Sequence, residues 1–294
     1  MTDATPRQGH WGQERRLEFI DYRLLWEGRL NRADLTEFFK ISIPQASLDF
    51  SAYKERAPDN MVYDRAQKTY VATEQFVPIF AKADGAQYLN ELLWRHSGAL
   101  AQSESFAGWS PLVDTSPLPV RKIEAKILVP LLRAMQAKQG ITIGYQSMSN
   151  PEPATRKIFP VAFAQDSYRW HVRAYCLKSS KHKDFVLGRI YAAGPAENIT
   201  EDIPEDVEWN TMVNVVLGPN PAFLPAKRSA IERDYNMVNG EVTIKTRLAQ
   251  LFYLRQRLNI LENSPPPDEH QHIVLLRIEA FEGRYLLEGK PPSA

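Results

Sequence analysis

The sequence predicts an α+β protein built from several domains. Up to about residue 139 the apolar residues recur at the spacing of helices, and from Gly140 onward they recur at every second position, which is typical of strands. After residue 196 the predicted strands and helices alternate. A chain of 294 residues is long enough for two or three domains, because one domain has about 150 residues.

The first predicted elements are three helices followed by a β-hairpin. Gly28 ends the first helix, and Asn31 is a suitable cap for the second. Ser42 is the expected cap of the third helix, with Pro44 in its first turn, where a missing N–H is tolerated. The helices are expected at 14–27, 32–39 and 43–57, and the hairpin at 60–73.

Three helices and a hairpin in this order predict a winged helix-turn-helix domain. The tight turn between the second and third helices sets the third across the second, in position to enter a DNA major groove. Residues 1–75 hold 11 basic and 12 acidic side chains, which argues against DNA binding, because phosphate contacts usually supply most of the affinity. Winged helices also serve as protein-interaction modules, so both functions remain open at this point.

Six residues are the candidate DNA contacts of this domain. Glutamine can pair with adenine through two hydrogen bonds, and serine can bond a base edge or a phosphate. The basic side chains would contact phosphates, two of them from the hairpin, which forms the wing. The alternative for each position is a solvated surface residue, and Asp49 is a further candidate base contact. The six are Ser42, Gln45, Ser47, Lys54, Arg65 and Lys68.

A mostly helical region is expected between the winged helix and the strands. Helical spacing returns at 84–96, and the proline-rich stretch 102–120 predicts an irregular connection. Residues 121–139 are again helical, although Pro130 must kink that helix or begin a second one. The predicted domains are 1–76 (winged helix), 77–139 (helical linker or dimerisation region), 140–195 (barrel) and 196–294 (C-terminal extension).

Residues 140–195 predict a small β-barrel of the Sm or SH3 type. We expect four or five short strands joined by polar turns, without the intervening helices that a TIM barrel or a Rossmann sheet requires. One strand alternates strongly, so its side chains should divide between two faces. The expected core face carries Trp170, Val172, Ala174 and Cys176, and the opposite face carries Arg169, His171, Arg173 and Tyr175.

The net charge of +1 conceals a segregation of charge along the chain. Residues 121–192 hold 13 basic and 4 acidic side chains, whereas residues 193–294 hold 10 basic and 15 acidic ones. Such asymmetry indicates an anionic partner for the basic segment. The alternative is that the basic segment docks against the acidic C-terminal one. Within 196–294, alternating strands and helices predict a small α+β unit of ferredoxin-like type.

Several other classes of protein are disfavoured. No apolar run approaches the roughly 20 residues that span a bilayer, and the polar N-terminus lacks a signal core, so we expect a cytoplasmic protein without membrane contact. Cys176, the single cysteine, excludes internal disulfides and cysteine zinc sites. His270 and His272 beside Glu269 more plausibly form a solvated loop than a metal site. Motifs for phosphate-binding loops, hydrolases and metalloproteases are missing, so we expect no enzyme, metal or cofactor.

The order of domains and several barrel residues resemble the WYL-domain transcription regulators. In this family an Sm-like barrel carries a Trp-Tyr-Leu tripeptide, and a C-terminal extension domain follows. Here the tripeptide is Trp-His-Val. Valine in place of leucine keeps an apolar strand residue, and histidine in place of tyrosine keeps an aromatic ring but changes its polar group. The chain is most similar to the homodimeric repressors beside phage-defence operons of the BREX and CBASS types. The matching residues are Tyr145, Arg156, Pro160, Trp170, His171, Val172 and Arg189.

The resemblance implies a repressor that binds operator DNA as a homodimer and senses a nucleotide or nucleic acid at its barrel. A two-fold protein would read a pseudo-palindromic operator. The alternative is an RNA- or single-strand-binding module whose winged helix contacts proteins, and an enzyme acting on nucleotides is a third possibility. Arg156 and Arg189 could instead pair with acids elsewhere in the fold, with His171 a satisfied barrel residue. The candidate ligand platform is Tyr145, Ser147, Arg156, His171, Arg173 and Arg189.

Overall fold

The structure is a computed structural model that describes residues 6–116, 118–119, 121–260 and 269–280, with side chains from residue 12 onward. The chain folds as two compact units, Met1–Leu118 and Pro119–Ala294, and each buries its own apolar clusters. The finer division into four domains stays a prediction. In the described part of the chain, no helix combines the length and apolar character needed to cross a membrane.

The first unit begins with the predicted winged helix. Its three-stranded antiparallel sheet has the order β1-β3-β2, and the predicted helices and hairpin are confirmed. Two features differ from the prediction. The first helix begins well before residue 14, and a two-residue strand, too short to show an alternating sequence pattern, pairs with the wing. The elements are α1 Pro6–Glu27, β1 Arg29–Leu30, α2 Arg32–Phe39, α3 Ile43–Arg56, β2 Met61–Asp64 and β3 Thr69–Ala72.

Helices α2 and α3 begin at the predicted caps. The side chain of Asn31 accepts hydrogen bonds from the N–H groups of Ala33 and Asp34, and the carboxylate of Asp34 accepts from the N–H of Asn31. The hydroxyl of Ser42 accepts from the N–H of Gln45. These bonds satisfy donors that would otherwise be orphaned in the first turn, so they set where each helix starts.

The composition of the stretch after α4 (Gly85–His96) predicts an irregular connection, but part of this stretch packs against the winged helix. Phe106 packs into the winged-helix core, with its ring 5.3 Å from that of Phe19 and 5.4 Å from that of Phe38. The N–H of Gly108 donates to Glu27 at 2.7 Å. Residues 105–108 therefore belong to the packed surface of the first unit.

The second unit begins with α5 and a five-stranded antiparallel sheet in the order β7-β6-β5-β4-β8. A 3-10 turn, Leu187–Arg189, separates the last two strands of the barrel in sequence. Ile127, Leu131 and Ala134 of α5 lie in the core of this sheet, so α5 belongs to the barrel rather than to a linker. The elements are α5 Ala125–Ala137, β4 Gly140–Tyr145, β5 Ala154–Gln165, β6 Trp170–Cys176, β7 Lys181–Val186 and β8 Ile190–Glu197.

The C-terminal part of this unit has the predicted alternation of strands and helices. Its sheet has the order β10-β9-β11, and both outer strands run antiparallel to β9. A ferredoxin-like unit has the order β-α-β-β-α-β, so the α+β character is confirmed but that particular plan is not seen in the described residues. The elements are α6 Val207–Asn210, β9 Met212–Pro219, α7 Pro225–Asp234, β10 Val242–Arg247, α8 Leu248–Arg257 and β11 Ile273–Ala280.

Candidate nucleic-acid interface and barrel site

A buried ion pair orients α3 within the winged helix. Asp49 is fully buried, and its carboxylate accepts hydrogen bonds from Arg16 of α1 at 2.6 and 3.2 Å. Asp49 is therefore not available to contact a base, and the prediction of a base contact at this residue is wrong. Its role is to fasten the third helix to the first.

The three polar candidates at the start of α3 are all hydrogen-bonded within the helix. Ser42 is exposed and serves as the cap, and the amide of Gln45 donates to Asp49 at 3.3 Å. The hydroxyl of Ser47 donates to the carbonyl of Ile43 at 3.0 Å. These bonds hold the side chains in defined positions, which suits groups that read base edges, and each oxygen keeps a free acceptor position.

The outward face of α3 also carries residues that sequence reasoning did not select. Ile43 and Leu48 are 67% and 62% exposed, and Ser51 is exposed between them and the end of the helix. Apolar side chains in a recognition helix can contact the methyl group of thymine. In the sequence, Ile43 and Leu48 look like core residues, and only the packing shows that they face outward.

The basic candidates lie on exposed surfaces. Lys54 is exposed near the end of α3, and Arg65 and Lys68 are exposed in the wing turn. Asp64 shapes that turn, because its carboxylate accepts from the N–H groups of residues 66 and 67. Sequence reasoning missed Lys40, which is exposed in the turn between α2 and α3 with a left-handed backbone (φ 55°).

A buried polar cluster ties α1 and α3 to the chain that leaves the wing. Asp21 is fully buried, and its carboxylate accepts from the N–H groups of residues 79, 80 and 81 at 2.8–2.9 Å and from the hydroxyl of Tyr53. Asn60 donates to the same hydroxyl at 3.0 Å. Burial raises the pKa of Tyr53, with the carboxylate of Asp21 adding to the shift, so its hydroxyl stays protonated as a donor.

In the second unit, both faces of β6 are buried. Val172, Ala174 and Cys176 lie in the barrel core as predicted, but Trp170 is 49% exposed because it stands at the open end of the strand. The opposite face is covered as well, with His171 only 2% exposed. The polar face of this strand is therefore a junction with the C-terminal elements and not an open platform.

Arg173 is surrounded by carboxylates. Its Nε and Nη2 donate to Asp206 at 2.7 and 2.9 Å, and Nη2 also donates to Glu208 at 2.8 Å. Nη1 lies 3.5 Å from Asp184, and Arg173 is 4% exposed. Burial acts to lower the pKa of Arg173, but the hydrogen bonds that it donates to Asp206 and Glu208 outweigh burial and raise the pKa.

His171 lies beside the same cluster. Its ring centroid is 5.0 Å from that of Tyr253, its Nε2 is 3.8 Å from Asp166, and its buried Nδ1 has no hydrogen-bond partner among the residues that the structure describes. Burial lowers the pKa of His171, although the charges of Asp166 and Asp184 oppose the shift. Burial raises the pKa of Asp184, whose carboxylate accepts from the hydroxyl of Tyr253 at 3.1 Å.

The remaining barrel candidates divide between core and surface. Tyr145 is 8% exposed, its ring packs against Phe185, and its hydroxyl lies 3.4 Å from the N–H of Val186, so it is a core residue. Ser147 is half-buried in the turn after β4, where its hydroxyl accepts from the N–H groups of Ser149 and Asn150.

Arg156 and Arg189 are half-buried, and neither forms an ion pair with a carboxylate in the described part of the chain. Arg189 is close enough to His171 for its charge to lower the pKa of that histidine further, after the larger effect of burial. The carbonyl of Arg189 accepts from the N–H of Gln146, which places it next to the turn of Ser147. These two arginines are therefore partly exposed guanidiniums of the barrel that no carboxylate among the described residues occupies. No cluster of side chains that could hold a metal occurs among the described residues.

Three family models match the chain in the order of its structural parts. They are the winged helix-turn-helix domain of the BrxR transcriptional regulator at residues 12–93, the WYL domain at 126–194, and the C-terminal dimerization domain of the same regulator at 212–281. The chain belongs to this family of WYL-domain transcriptional regulators. The predicted family, fold class and winged helix are thereby confirmed.

Curated relatives of this family match over most of their length. A protein of Escherichia coli named as the DNA-binding transcriptional repressor CapW is 42% identical over 87% of this chain and 86% of its own. Proteins of the same name from Pseudomonas aeruginosa and Stenotrophomonas maltophilia are 42% and 40% identical, each over 95% of this chain and 94% of its own.

A solved structure, the proteasome accessory factor B/C (PafBC) of Arthrobacter aurescens, also matches. The match covers 90% of this chain and 44% of that chain, with a TM-score of 0.30 and 15% identity.

Proposed function

We infer that this chain is a DNA-binding transcriptional repressor, and we propose that it reads a pseudo-palindromic operator as a homodimer. The observation that carries this conclusion is the winged helix itself, whose α3 is held by a buried ion pair and presents an exposed, ordered face beside a basic wing. The relatives, named DNA-binding transcriptional repressors and not enzymes, support the same function.

We propose that α3 supplies the base contacts and that the wing and the helix end supply phosphate contacts. The support is that Gln45 and Ser47 are partly exposed and Leu48 is exposed on α3, and that such side chains can bond or contact base edges. Lys54, Arg65 and Lys68 are exposed cations that suit phosphates, and Ser42 can donate its hydroxyl hydrogen to a phosphate while its oxygen caps α3.

We propose that self-association runs through the C-terminal sheet. The support is the family model for residues 212–281, which describes a dimerization domain. A two-fold protein matches a two-fold operator, with the half-sites about one helical turn of DNA or a multiple apart.

We propose that an anionic ligand, a nucleotide or a nucleic acid, modulates operator binding through the barrel. Ser147, Arg156 and Arg189 are the candidates within reach at the surface, whereas Arg173 and His171 lie behind carboxylates. The ligand must bind one arrangement of the protein more tightly than another, since equal affinity would shift nothing. Control of a phage-defence operon is the expected biological setting.

The test is a mobility shift with duplex DNA from upstream of the chain's own gene, against a scrambled duplex at the same salt concentration. Salt must be matched because phosphate contacts make affinity strongly salt-dependent. Tight, sequence-selective shifts are expected, and they should disappear in a Gln45→Ala, Ser47→Ala double variant. Equal binding to both duplexes, or none, would contradict the operator function.

The second candidate function is a single-strand-binding module, which the excess of 13 basic over 4 acidic residues in 121–192 favours. Under this alternative, Arg156→Ala with Arg189→Ala should abolish all nucleic-acid binding. Under the repressor function, the same variant should keep operator binding and lose only the response to ligand.

A further inference from the structure

The connection between the barrel and the C-terminal sheet is strongly acidic. Residues 197–208, which we call the acidic connector, hold six acidic and no basic side chains. The connector starts at the last residue of β8 and ends inside α6. It follows directly on the basic segment, so opposite charges meet within one unit of the structure.

The acidic connector makes ion pairs with the barrel at both of its ends. Glu197 accepts a hydrogen bond from the hydroxyl of Thr142 at 2.7 Å and lies 3.5 Å from the ammonium of Lys157. At the other end, Asp206 and Glu208 bind Arg173 at 2.7–2.9 Å.

The contacts between Arg173 and its carboxylates have the geometry that a guanidinium also forms with a phosphate. Asp206 faces its Nε and Nη2 with both carboxylate oxygens, which is the paired, fork-like arrangement that guanidinium forms with carboxylate and phosphate alike. Glu208 adds a third charged hydrogen bond. The two acids therefore occupy the positions that oxygens of a phosphodiester would take.

We propose that the acidic connector is an internal competitor for the anionic ligand of the barrel, with Asp206 and Glu208 covering Arg173 until phosphate oxygens displace them. This inference rests on the proposed function, since it needs a phosphate-bearing ligand at the barrel. Phosphates alone and phosphates of a nucleic-acid strand share this chemistry.

The two acids differ in how readily they can leave. The side chain of Glu208 is 60% exposed and that of Asp206 is 4% exposed, so Glu208 is the outer group and is displaced first. Asp206 also caps α6 by accepting from the N–H of Trp209 at 3.1 Å. Because α6 packs against α8 and β10, displacement of Asp206 loosens a helix that touches the C-terminal sheet.

The decisive comparison is Glu208→Gln against Glu205→Gln in the full chain. Both variants remove one negative charge from the same short segment, but Glu205 accepts from Asn210 and does not touch Arg173. The probes are a labelled thymidine oligonucleotide of about ten nucleotides, within the range of common single-strand site sizes, and thymidine 5′-monophosphate, both at fixed ionic strength.

Glu208→Gln should bind the probe about fivefold more tightly than Glu205→Gln does, because a charged hydrogen bond that competes with the ligand is lost. Adding Asp206→Asn, which keeps the cap but removes the charge, should increase the gain. A gain with both probes identifies a single phosphate as the ligand group, and a gain with the oligonucleotide alone identifies a strand.

Equal affinities in Glu208→Gln and Glu205→Gln, including no binding in either, would overturn the competitor role. Mobility shifts with operator DNA, recorded on the same samples, distinguish a failure of the competitor role from a failure of the proposed repressor function. If all variants shift the operator while Glu208→Gln gains nothing, the repressor stands without the competitor. If the wild type does not shift the operator, the repressor function itself fails.

Discussion

Arg16 of α1 and Asp49 of α3 form a buried ion pair, with Nε 2.6 Å from Oδ2, that sets the recognition helix on the first helix of the winged domain. Gln45 donates to the same carboxylate, so a candidate base-contacting residue shares its partner with the ion pair. The geometry of DNA reading and the stability of the domain therefore depend on one carboxylate.

Replacing Asp49 with alanine should destabilise the first unit by about 3–5 kcal/mol, because Arg16 is left without its partner at a largely buried site. The measurement is chemical unfolding followed by circular dichroism. Glu55→Ala, an exposed acid on the same helix, is the control and should change stability by less than about 0.5 kcal/mol. Similar effects of the two substitutions would show that the ion pair does not hold α3.

Replacing Ser42 with alanine should cost about 1 kcal/mol, because the N–H of Gln45 loses its acceptor at the start of α3. Thermal unfolding measures the effect. Ser51→Ala is the matched control, since Ser51 is an exposed serine of the same helix whose hydroxyl donates to the carbonyl of Ser47 and caps no helix. An equally large loss of stability in Ser51→Ala would show that the cap is not the cause of the effect at Ser42.

Replacing Arg65 or Lys68 with glutamine should weaken binding to all DNA sequences and reduce the slope of log affinity against log salt by about one unit each. Both residues are exposed on the wing, so their loss should leave the fold intact. Mobility shifts over a series of salt concentrations measure the slope. Lys82→Gln, an exposed lysine outside the wing, controls for the change in net charge, and an equal decrease there would rule out specific wing contacts.

Replacing Arg173 with alanine should destabilise the second unit by about 3–5 kcal/mol, because Asp206 and Asp184 are then buried without their cation. Arg173→Lys should restore part of the loss, since the charge returns without the paired hydrogen bonds. Calorimetry measures both variants. A fully stable Arg173→Ala protein would contradict the structural role of this guanidinium.

The stability of the second unit should fall as the pH drops below about 6.5, the ordinary pKa of histidine. Burial lowers the pKa of His171 and of His182, so the unfolded chain takes up protons that the folded chain resists. His171→Gln should flatten the stability profile between pH 7 and pH 5.

The comparison of variant with wild type measures the contribution of His171 together with its effect on Asp184, whose raised pKa acts on stability with the opposite sign. His182→Gln measures the second histidine separately. An unchanged profile in His171→Gln would show that His171 does not contribute to the pH dependence.

The sequence by itself determined the local elements of this protein. Asn31 and Ser42 start their helices through bonds to N–H groups within three residues, and the alternation in β6 predicts which side chains share a face. Such features depend on neighbours along the chain, so they are visible without a fold. The order of these elements was enough to indicate the family.

Only the tertiary structure decided which polar side chains are free to bind a ligand. In the sequence, Arg173, Arg156 and Arg189 look alike, but the first meets Asp206, a residue 33 positions away, and the other two meet no carboxylate among the described residues. Asp49 likewise looks like a base-contacting group until Arg16 is found beside it. Burial and ion pairing join residues that are distant in sequence, and local patterns carry no information about such partners.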